Sequence, residues 1–144
     1  MPAQRISRYL PLVLWMAFIS FASTSSFSGV NTSRFIRPFV LWLFPETTDE
    51  TLSIIHFIVR KVAHFVEYAV LGFLAARAFT TSSHDLIRRR WFPLVLVLIA
   101  LYALFDEFHQ SYVPSRSASI YDSMVDTAGG LAALLAYRRW RKQP

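Results

Sequence analysis

The sequence has no cysteine, and this absence excludes several kinds of protein chemistry. A chain without cysteine has no disulfide framework, no thiolate nucleophile and no sulfur-ligated metal. Zinc-knuckle and phosphate-loop motifs are also missing, as are internal repeats and low-complexity tracts. Any chemistry therefore depends on carboxylates, imidazoles, hydroxyls, amides and basic groups.

Long polar stretches are scarce as well, and apolar residues dominate the chain. Of the 144 residues, 54% are hydrophobic and 16% are aromatic, whereas a soluble domain averages about 45–50% apolar. Because the apolar residues form long runs, we expect a protein integral to a membrane. The net charge of +6 comes from basic residues between these runs, where topology and anionic lipid head groups account for it. We therefore expect no nucleic-acid partner.

The apolar runs predict an all-α fold, a multi-pass transmembrane helical bundle that forms one domain over residues 1–144. Each run is close to the 20 or so residues that a helix needs to cross a hydrocarbon core of about 30 Å. A shorter segment at about 35–44 contains Arg37 and Pro38, and we expect it to be interfacial or re-entrant. The predicted spans are about 9–28, 60–79, 91–110 and 118–137.

Small residues after the first run allow a cleaved signal peptide as the alternative, but we favour an uncleaved helix because further spans follow.

Local signals support the boundaries of the later segments. Thr47-Thr48-Asp49-Glu50 is typical of a helix start with an acidic first turn. Pro93 falls in the first turn of the third span, where a missing N–H is harmless. The small residues of 128–133 predict close packing of the fourth helix.

The distribution of basic residues predicts the topology. With four spans, nine basic residues of the short loops and termini lie on one side and five on the other. The positive-inside rule then places both termini in the cytoplasm.

This topology places three polar clusters at one depth, near the external face. Ionisable groups within spans usually face the bundle interior or a wet cavity rather than lipid. Singly, each residue has an ordinary explanation as a head-group anchor, a helix cap or a packing residue, but three clusters coinciding in depth argue against this for the set. The clusters are Lys61, His64, Glu67 and Tyr68 in the second span, Asp106, Glu107, His109 and Gln110 in the third, and Asp122 and Asp126 in the fourth, with Arg116 in the last turn.

The same residues carry a resemblance to a known family. The order and spacing of these motifs, over about residues 54–137, resemble the VanZ-like family of small bacterial membrane proteins, named for a member associated with teicoplanin resistance. Asp126 departs from the asparagine that this family usually has before Thr-x-Gly, so this position can carry a negative charge or serve as a metal ligand. The motifs are Lys61-x-x-His64-Phe65-x-Glu67-Tyr68-x-x-Leu71-Gly72, Asp106-Glu107-x-His109-Gln110, Val113-Pro114-x-Arg116-x-x-Ser119 and Asp122-x-x-x-Asp126-x-x-Gly129.

The resemblance implies a multi-pass protein of the bacterial cytoplasmic membrane. By wider similarity of fold and polar layout, it implies kinship with membrane enzymes that exchange or hydrolyse phospholipid head groups. The expected partner is accordingly a membrane lipid or a lipid-linked cell-wall precursor at the outer leaflet.

The three polar clusters suit an enzyme that acts on a phosphodiester, as a transferase or hydrolase of lipid head groups. Such a reaction needs a nucleophile or base, a proton donor and positive charge near the phosphoryl oxygens. His64 is the natural base or nucleophile, and Lys61 and Arg116 suit phosphate. The predicted catalytic residues are His64, Glu67, Asp106, Glu107 and Asp122, and the predicted substrate-binding residues are Lys61, Tyr68, His109, Gln110, Arg116 and Asp126.

Other mechanisms and functions remain open from the sequence. Four carboxylates of the three clusters suit a divalent cation such as magnesium, calcium or manganese, namely Glu67, Asp106, Glu107 and Asp122. A non-catalytic module that binds a cell-wall intermediate or a glycopeptide is the second hypothesis. An ion or proton conduit is the third, although conduits usually place ionisable groups across the whole bilayer.

Overall fold

The computed structural model describes residues 2–24, 29–114 and 119–142. Over these ranges the chain forms six α-helices and no strand, so the predicted all-α architecture is confirmed. The helices are α1 (Pro2–Ala22), α2 (Gly29–Leu43), α3 (Asp49–Thr80), α4 (Asp85–Arg89), α5 (Trp91–Gln110) and α6 (Ile120–Trp140).

Two helices are long and apolar enough to cross a membrane, namely α3 with 32 residues and α5 with 20. They correspond to the second and third predicted spans. The apolar part of α1 is the shorter stretch Ile6–Ala22. Helix α6 has 21 residues but carries two aspartates and two arginines. Two candidate spans are therefore established where four were expected.

The bounds of the first helices can be compared with the predicted segments. Helix α1 ends at Ala22, earlier than the predicted end near residue 28, and residues 25–28 lie outside the described ranges. Helix α2 begins at Gly29 and contains Pro38, so it is longer than the predicted segment 35–44. Helix α3 begins at Asp49, within the predicted helix start, and it continues through the whole of the predicted span 60–79.

The cap that begins α3 matches the predicted helix start. The side-chain oxygen of Thr48 accepts a hydrogen bond from the backbone N–H of Thr51 at 3.3 Å. Asp49 and Glu50 follow in the first turn, where negative charge is favourable beside the helix dipole. Asp49 also pairs with Arg37 of α2 at 3.0 Å.

Helix α3 is the central element, because it packs against α1, α2, α5 and α6. Its buried stripe includes Tyr68, Leu71 and Ala75, which follow helical spacing. Helix α5 contributes Val95, Ile99 and Ala103, spaced one turn apart. The buried interior is thus narrow, and it is made largely of small and aliphatic side chains.

Glycines bring α3 and α6 into backbone contact. A Cβ atom added to Gly129 would lie 2.2 Å from the backbone oxygen of Phe65, and one added to Gly72 would lie 2.7 Å from the oxygen of Gly130. Close approach at small residues is the usual way in which membrane helices associate. The predicted close packing of the fourth helix is confirmed at these positions.

The outer surface of the bundle is rich in large apolar side chains. Leu101, Phe105 and Phe108 of α5 are exposed, as are Val62 and Val66 of α3. A soluble monomer rarely exposes apolar patches of such extent. The surface is compatible with a membrane protein.

Candidate functional site

Polar side chains from four elements meet at one end of the bundle. They come from the residue after α1, the first half of α3, the end of α5 and the first turns of α6. All are buried except Lys61, whose side chain is 23% exposed. We call this set the polar layer: Ser23, Lys61, His64, Asp106, Glu107, Gln110, Asp122 and Asp126.

An imidazole and a carboxylate pair at the centre of the polar layer. Nδ1 of His64 lies 3.1 Å from Oδ1 of Asp126, and the two residues are 7% and 0% exposed. The contact is possible because Gly129, one turn after Asp126, allows α6 to touch the backbone of α3 beside His64 at Phe65. Gly129 thus helps to bring His64 and Asp126 together.

An ion pair lies next to this contact on the same two helices. Nζ of Lys61 donates a hydrogen bond to Oδ1 of Asp122. Lys61 is three residues before His64, and Asp122 is four residues before Asp126, so the two contacts follow one another along the α3–α6 interface. The negative charge of Asp122 is therefore compensated by the protein itself.

Asp106 also has its partners within the protein. Its Oδ1 accepts a hydrogen bond from the hydroxyl of Ser23 at 2.6 Å, and its Oδ2 accepts one from the amide of Gln110 at 3.0 Å. Gln110 is one turn after Asp106 in α5, as the spacing predicted. Asp106 thus ties the end of α1 to α5.

Glu107 connects α5 to the start of α6. Its Oε2 accepts a hydrogen bond from the backbone N–H of Ser119 at 2.7 Å, and Ser119 caps α6. Its other oxygen, Oε1, is buried and has no hydrogen-bond partner among the residues described. Oδ2 of Asp126 and the hydroxyl of Tyr68 are likewise buried and have no hydrogen-bond partner within the described ranges. Ligating atoms of His64, Glu107 and Asp126 lie within 4.8 Å of one another.

A cavity of about 170 Å³ opens beside His64, between α1, α2 and α3. Arg60 and Glu67 line its polar part together with His64, and Phe18 and Ile36 line its apolar part. Nη2 of Arg60 is buried without a hydrogen-bond partner in the described part of the chain. The other lining residues are Ala22, Ser23, Thr32, His56, Val59 and Ala63.

The remaining predicted site residues differ in their placement. Glu67 is half-buried, and its backbone oxygen accepts a hydrogen bond from the indole N–H of Trp15 at 2.9 Å. Tyr68 is fully buried at the edge of the polar layer. His109 is half-exposed at the end of α5. Arg116 lies outside the described residues, so its predicted role in binding stays a prediction.

Sequence reasoning missed three residues of this region. Arg60 was interpretable as an anchor at the head groups, although it shares one helix face with His64 and Glu67 at spacings of four and seven. That spacing was a usable signal. Ser119 belonged to one of the family motifs but was given no role, and Ser23 carried no signal, because their contacts depend on how the ends of α1, α5 and α6 meet.

Comparison with known proteins gives one result. Residues 9–141 match the sequence profile of the VanZ/LLP1 family, which covers nearly the whole chain. No curated protein and no solved structure matches the chain.

Proposed function

Since the chain belongs to the VanZ/LLP1 family, we propose that it is a membrane enzyme acting on the phosphate of a lipid or of a lipid-linked cell-wall precursor. The observation that carries the proposal is the cavity beside His64. It joins an unpartnered buried guanidinium nitrogen, an imidazole held by a buried carboxylate, and an apolar wall.

The lining of the cavity suits the region of a lipid where the phosphate meets the apolar chain. Arg60 supplies a cation with planar donor geometry, which matches phosphoryl oxygens. Phe18 and Ile36 supply the surface against which an acyl or polyprenyl chain packs. A substrate with only one of these two properties leaves half of the lining without a partner.

His64 is the residue that joins the cavity to the polar layer. It lines the cavity and also contacts Asp126. Two modes of action are compatible with this position: the imidazole accepts a proton from the attacking hydroxyl, or it helps to hold a cation that activates this hydroxyl. Both modes make His64 essential for turnover.

The proposed reaction is a substitution at phosphorus. The oxygen of a water or an alcohol forms a new bond to phosphorus, and the bond from phosphorus to the departing head-group oxygen breaks. The proton lost by the attacking group ends on the departing oxygen. Water gives hydrolysis, and an alcohol gives head-group exchange.

The distribution of buried acidic residues and histidines disfavours an ion conduit. Within the described ranges these residues are His64, Asp106, Glu107, Asp122 and Asp126, all at one end of the bundle. At the opposite end the buried residues Thr80, Ser82 and Tyr137 offer hydroxyl groups. Conduits usually place such acidic residues and histidines across the whole bilayer.

The test uses the full chain in lipid nanodiscs with labelled phospholipids and lipid-linked cell-wall precursors. Products are detected by mass spectrometry for the wild type, for His64→Ala and for His84→Ala. His84 is exposed and lies before the short helix α4, so it is the matched control. We expect head-group release by the wild type and the control, and none by His64→Ala.

One outcome contradicts the role of His64, and another contradicts the enzyme proposal as a whole. Turnover that persists in His64→Ala excludes the assigned role of this residue. A lipid that the wild type retains without forming product, and that His64→Ala does not retain, favours the non-catalytic binding module.

A further inference from the structure

The buried carboxylates of the polar layer fall into two classes. Asp106 accepts hydrogen bonds at both oxygens, and Asp122 pairs with Lys61. Glu107 and Asp126, in contrast, each keep one buried oxygen without a hydrogen-bond partner among the residues described. Burying a polar oxygen without a partner is costly, and burying an uncompensated charge is more so.

The two incompletely partnered carboxylates lie together with one imidazole. One ligating atom from each of His64, Glu107 and Asp126 lies within 4.8 Å of the other two. The residues are 7%, 6% and 0% exposed. Ligand atoms bound to one small divalent ion at about 2.1 Å lie about 3–4 Å apart, so the observed cluster needs only a small contraction.

We propose that His64, Glu107 and Asp126 bind one divalent transition-metal ion, Mn²⁺ or Zn²⁺. The ion accounts for the unpartnered oxygens and balances the two carboxylate charges in a buried place. It also fits the observation that, within the described ranges, neither carboxylate accepts a hydrogen bond from a side-chain hydroxyl, amide or ammonium group, as the neighbouring aspartates do.

The ligand types select the class of ion. Imidazole nitrogen favours transition metals, and carboxylate oxygen is accepted by both Mn²⁺ and Zn²⁺. Ca²⁺ usually takes six to eight oxygen ligands, and Mg²⁺ is usually bound through oxygen in an octahedral arrangement. Three protein ligands leave positions on the ion for water and substrate, as in catalytic metal sites.

This ligand set differs from the carboxylates expected from the sequence. Of Glu67, Asp106, Glu107 and Asp122, the proposal keeps Glu107 alone, because two of the others are already partnered by protein groups. The role of the ion in the reaction rests on the proposed function, in which it would polarise the phosphoryl oxygen or activate the attacking water. Its binding rests on the three side chains alone.

The first experiment measures binding of Mn²⁺ and of Zn²⁺ to the chelator-treated full-length protein in detergent, by calorimetry and metal analysis. We expect one ion per chain and at least about tenfold weaker binding for Glu107→Gln and for Asp126→Asn, by analogy with the loss of supporting groups at metal sites. Both changes conserve side-chain shape. The control is Asp85→Asn, which changes an exposed carboxylate at the start of α4. We expect this variant to bind the ion as tightly as the wild type does.

A second measurement decides the question even if a variant fails to fold. Electron spin-echo spectroscopy of the Mn²⁺-loaded wild type detects a coupled nitrogen if an imidazole is a ligand. We expect this coupling in the wild type and its loss in His64→Ala.

Absence of stoichiometric Mn²⁺ or Zn²⁺ binding by the wild type, or a Mn²⁺ signal without coupled nitrogen, overturns the metal site. Lipid turnover that persists without any bound ion overturns the proposed role of the ion in the reaction but leaves the enzyme proposal intact. Stoichiometric binding without any lipid turnover supports the metal site and contradicts the enzyme proposal.

Discussion

Two adjacent carboxylates of α5 show how the surroundings of a single residue decide its role. They are Asp106 and Glu107, and they have different hydrogen-bond partners. Asp106 faces Ser23 and Gln110, whereas Glu107 faces the start of α6 and keeps Oε1 without a partner in the described chain. Two neighbours on a helix point about 100° apart, so they meet different elements. The chemistry of each carboxylate is therefore decided by its surroundings and not by its place in the motif.

The ion pair between Lys61 and Asp122 gives a prediction at the scale of single residues. Lys61→Met removes the hydrogen-bond partner of a carboxylate that is only 6% exposed, so we expect a loss of about 1–3 kcal/mol in the free energy of unfolding. Asp122→Asn in addition removes the stranded charge and recovers part of the loss. Thermal or denaturant unfolding in detergent, arranged as a double-mutant cycle, measures both effects.

The control is the exposed pair between Arg37 and Asp49, whose side chains are 60% and 85% exposed. Arg37→Met is expected to change the free energy of unfolding by less than about 1 kcal/mol. A Lys61→Met variant as stable as Arg37→Met would contradict the importance of the buried pair.

Among the helices, the contact between α3 and α6 determines the geometry of the site. Backbone contact at Gly129 lies one turn from Asp126 and beside His64, so helix separation and side-chain distance are coupled. Cores transmit such shifts because they are close-packed. The positions of small residues are therefore part of the site, although these residues carry no chemistry.

Gly129→Ala and Gly130→Ala form a matched pair that tests this coupling. The new Cβ at position 129 meets backbone at 2.2 Å, whereas at position 130 the closest atoms belong to the side chain of Ile99, at 2.7 Å. A side chain yields more easily than backbone, so we expect Gly129→Ala to be the more destabilising, by about 1–3 kcal/mol or more. Unfolding in detergent measures the difference, and equal stability of the two variants would contradict the coupling.

Helix properties were predictable from the sequence to differing extents. The cap at Thr48 and the place of Pro93 followed from local signals, and both agree with the observed bounds of α3 and α5. The fourth predicted span is less clear, because α6 carries its polar residues on a buried face. Mean hydropathy averages over all faces of a helix, so it underestimates the ability of such a segment to span a membrane.

For the whole molecule, the sequence indicated where polar groups meet but not how they pair. Antiparallel direction and helical periodicity were enough to predict that α3, α5 and α6 place their polar groups at one end. The specific contact of His64 with Asp126, and the part played by Ser23, depend on helix rotation and on where α1 ends. Those properties come from packing between elements, which no single segment encodes.

The topology of the whole molecule is a separate prediction. The natural chain lacks cysteine, so a single introduced thiol is a clean probe. Glu46→Cys lies in the exposed turn between α2 and α3, and Ser83→Cys lies between α3 and α4. A membrane-impermeant maleimide applied to intact cells should label the first variant and spare the second until the cells are permeabilised. The reverse pattern would place the polar layer on the cytoplasmic side.

The cavity beside His64 brings binding and reaction together, and steady-state kinetics separate the two. The measurement compares kcat and KM for turnover of the nanodisc lipid substrate by the wild type, His64→Ala, Arg60→Gln and the exposed control Arg37→Gln. We expect His64→Ala to lower kcat by at least about 100-fold. Arg60→Gln should raise KM, and Arg37→Gln should change neither kcat nor KM. A wild-type kcat retained by His64→Ala would contradict the central claim that this cavity is where the lipid phosphate reacts.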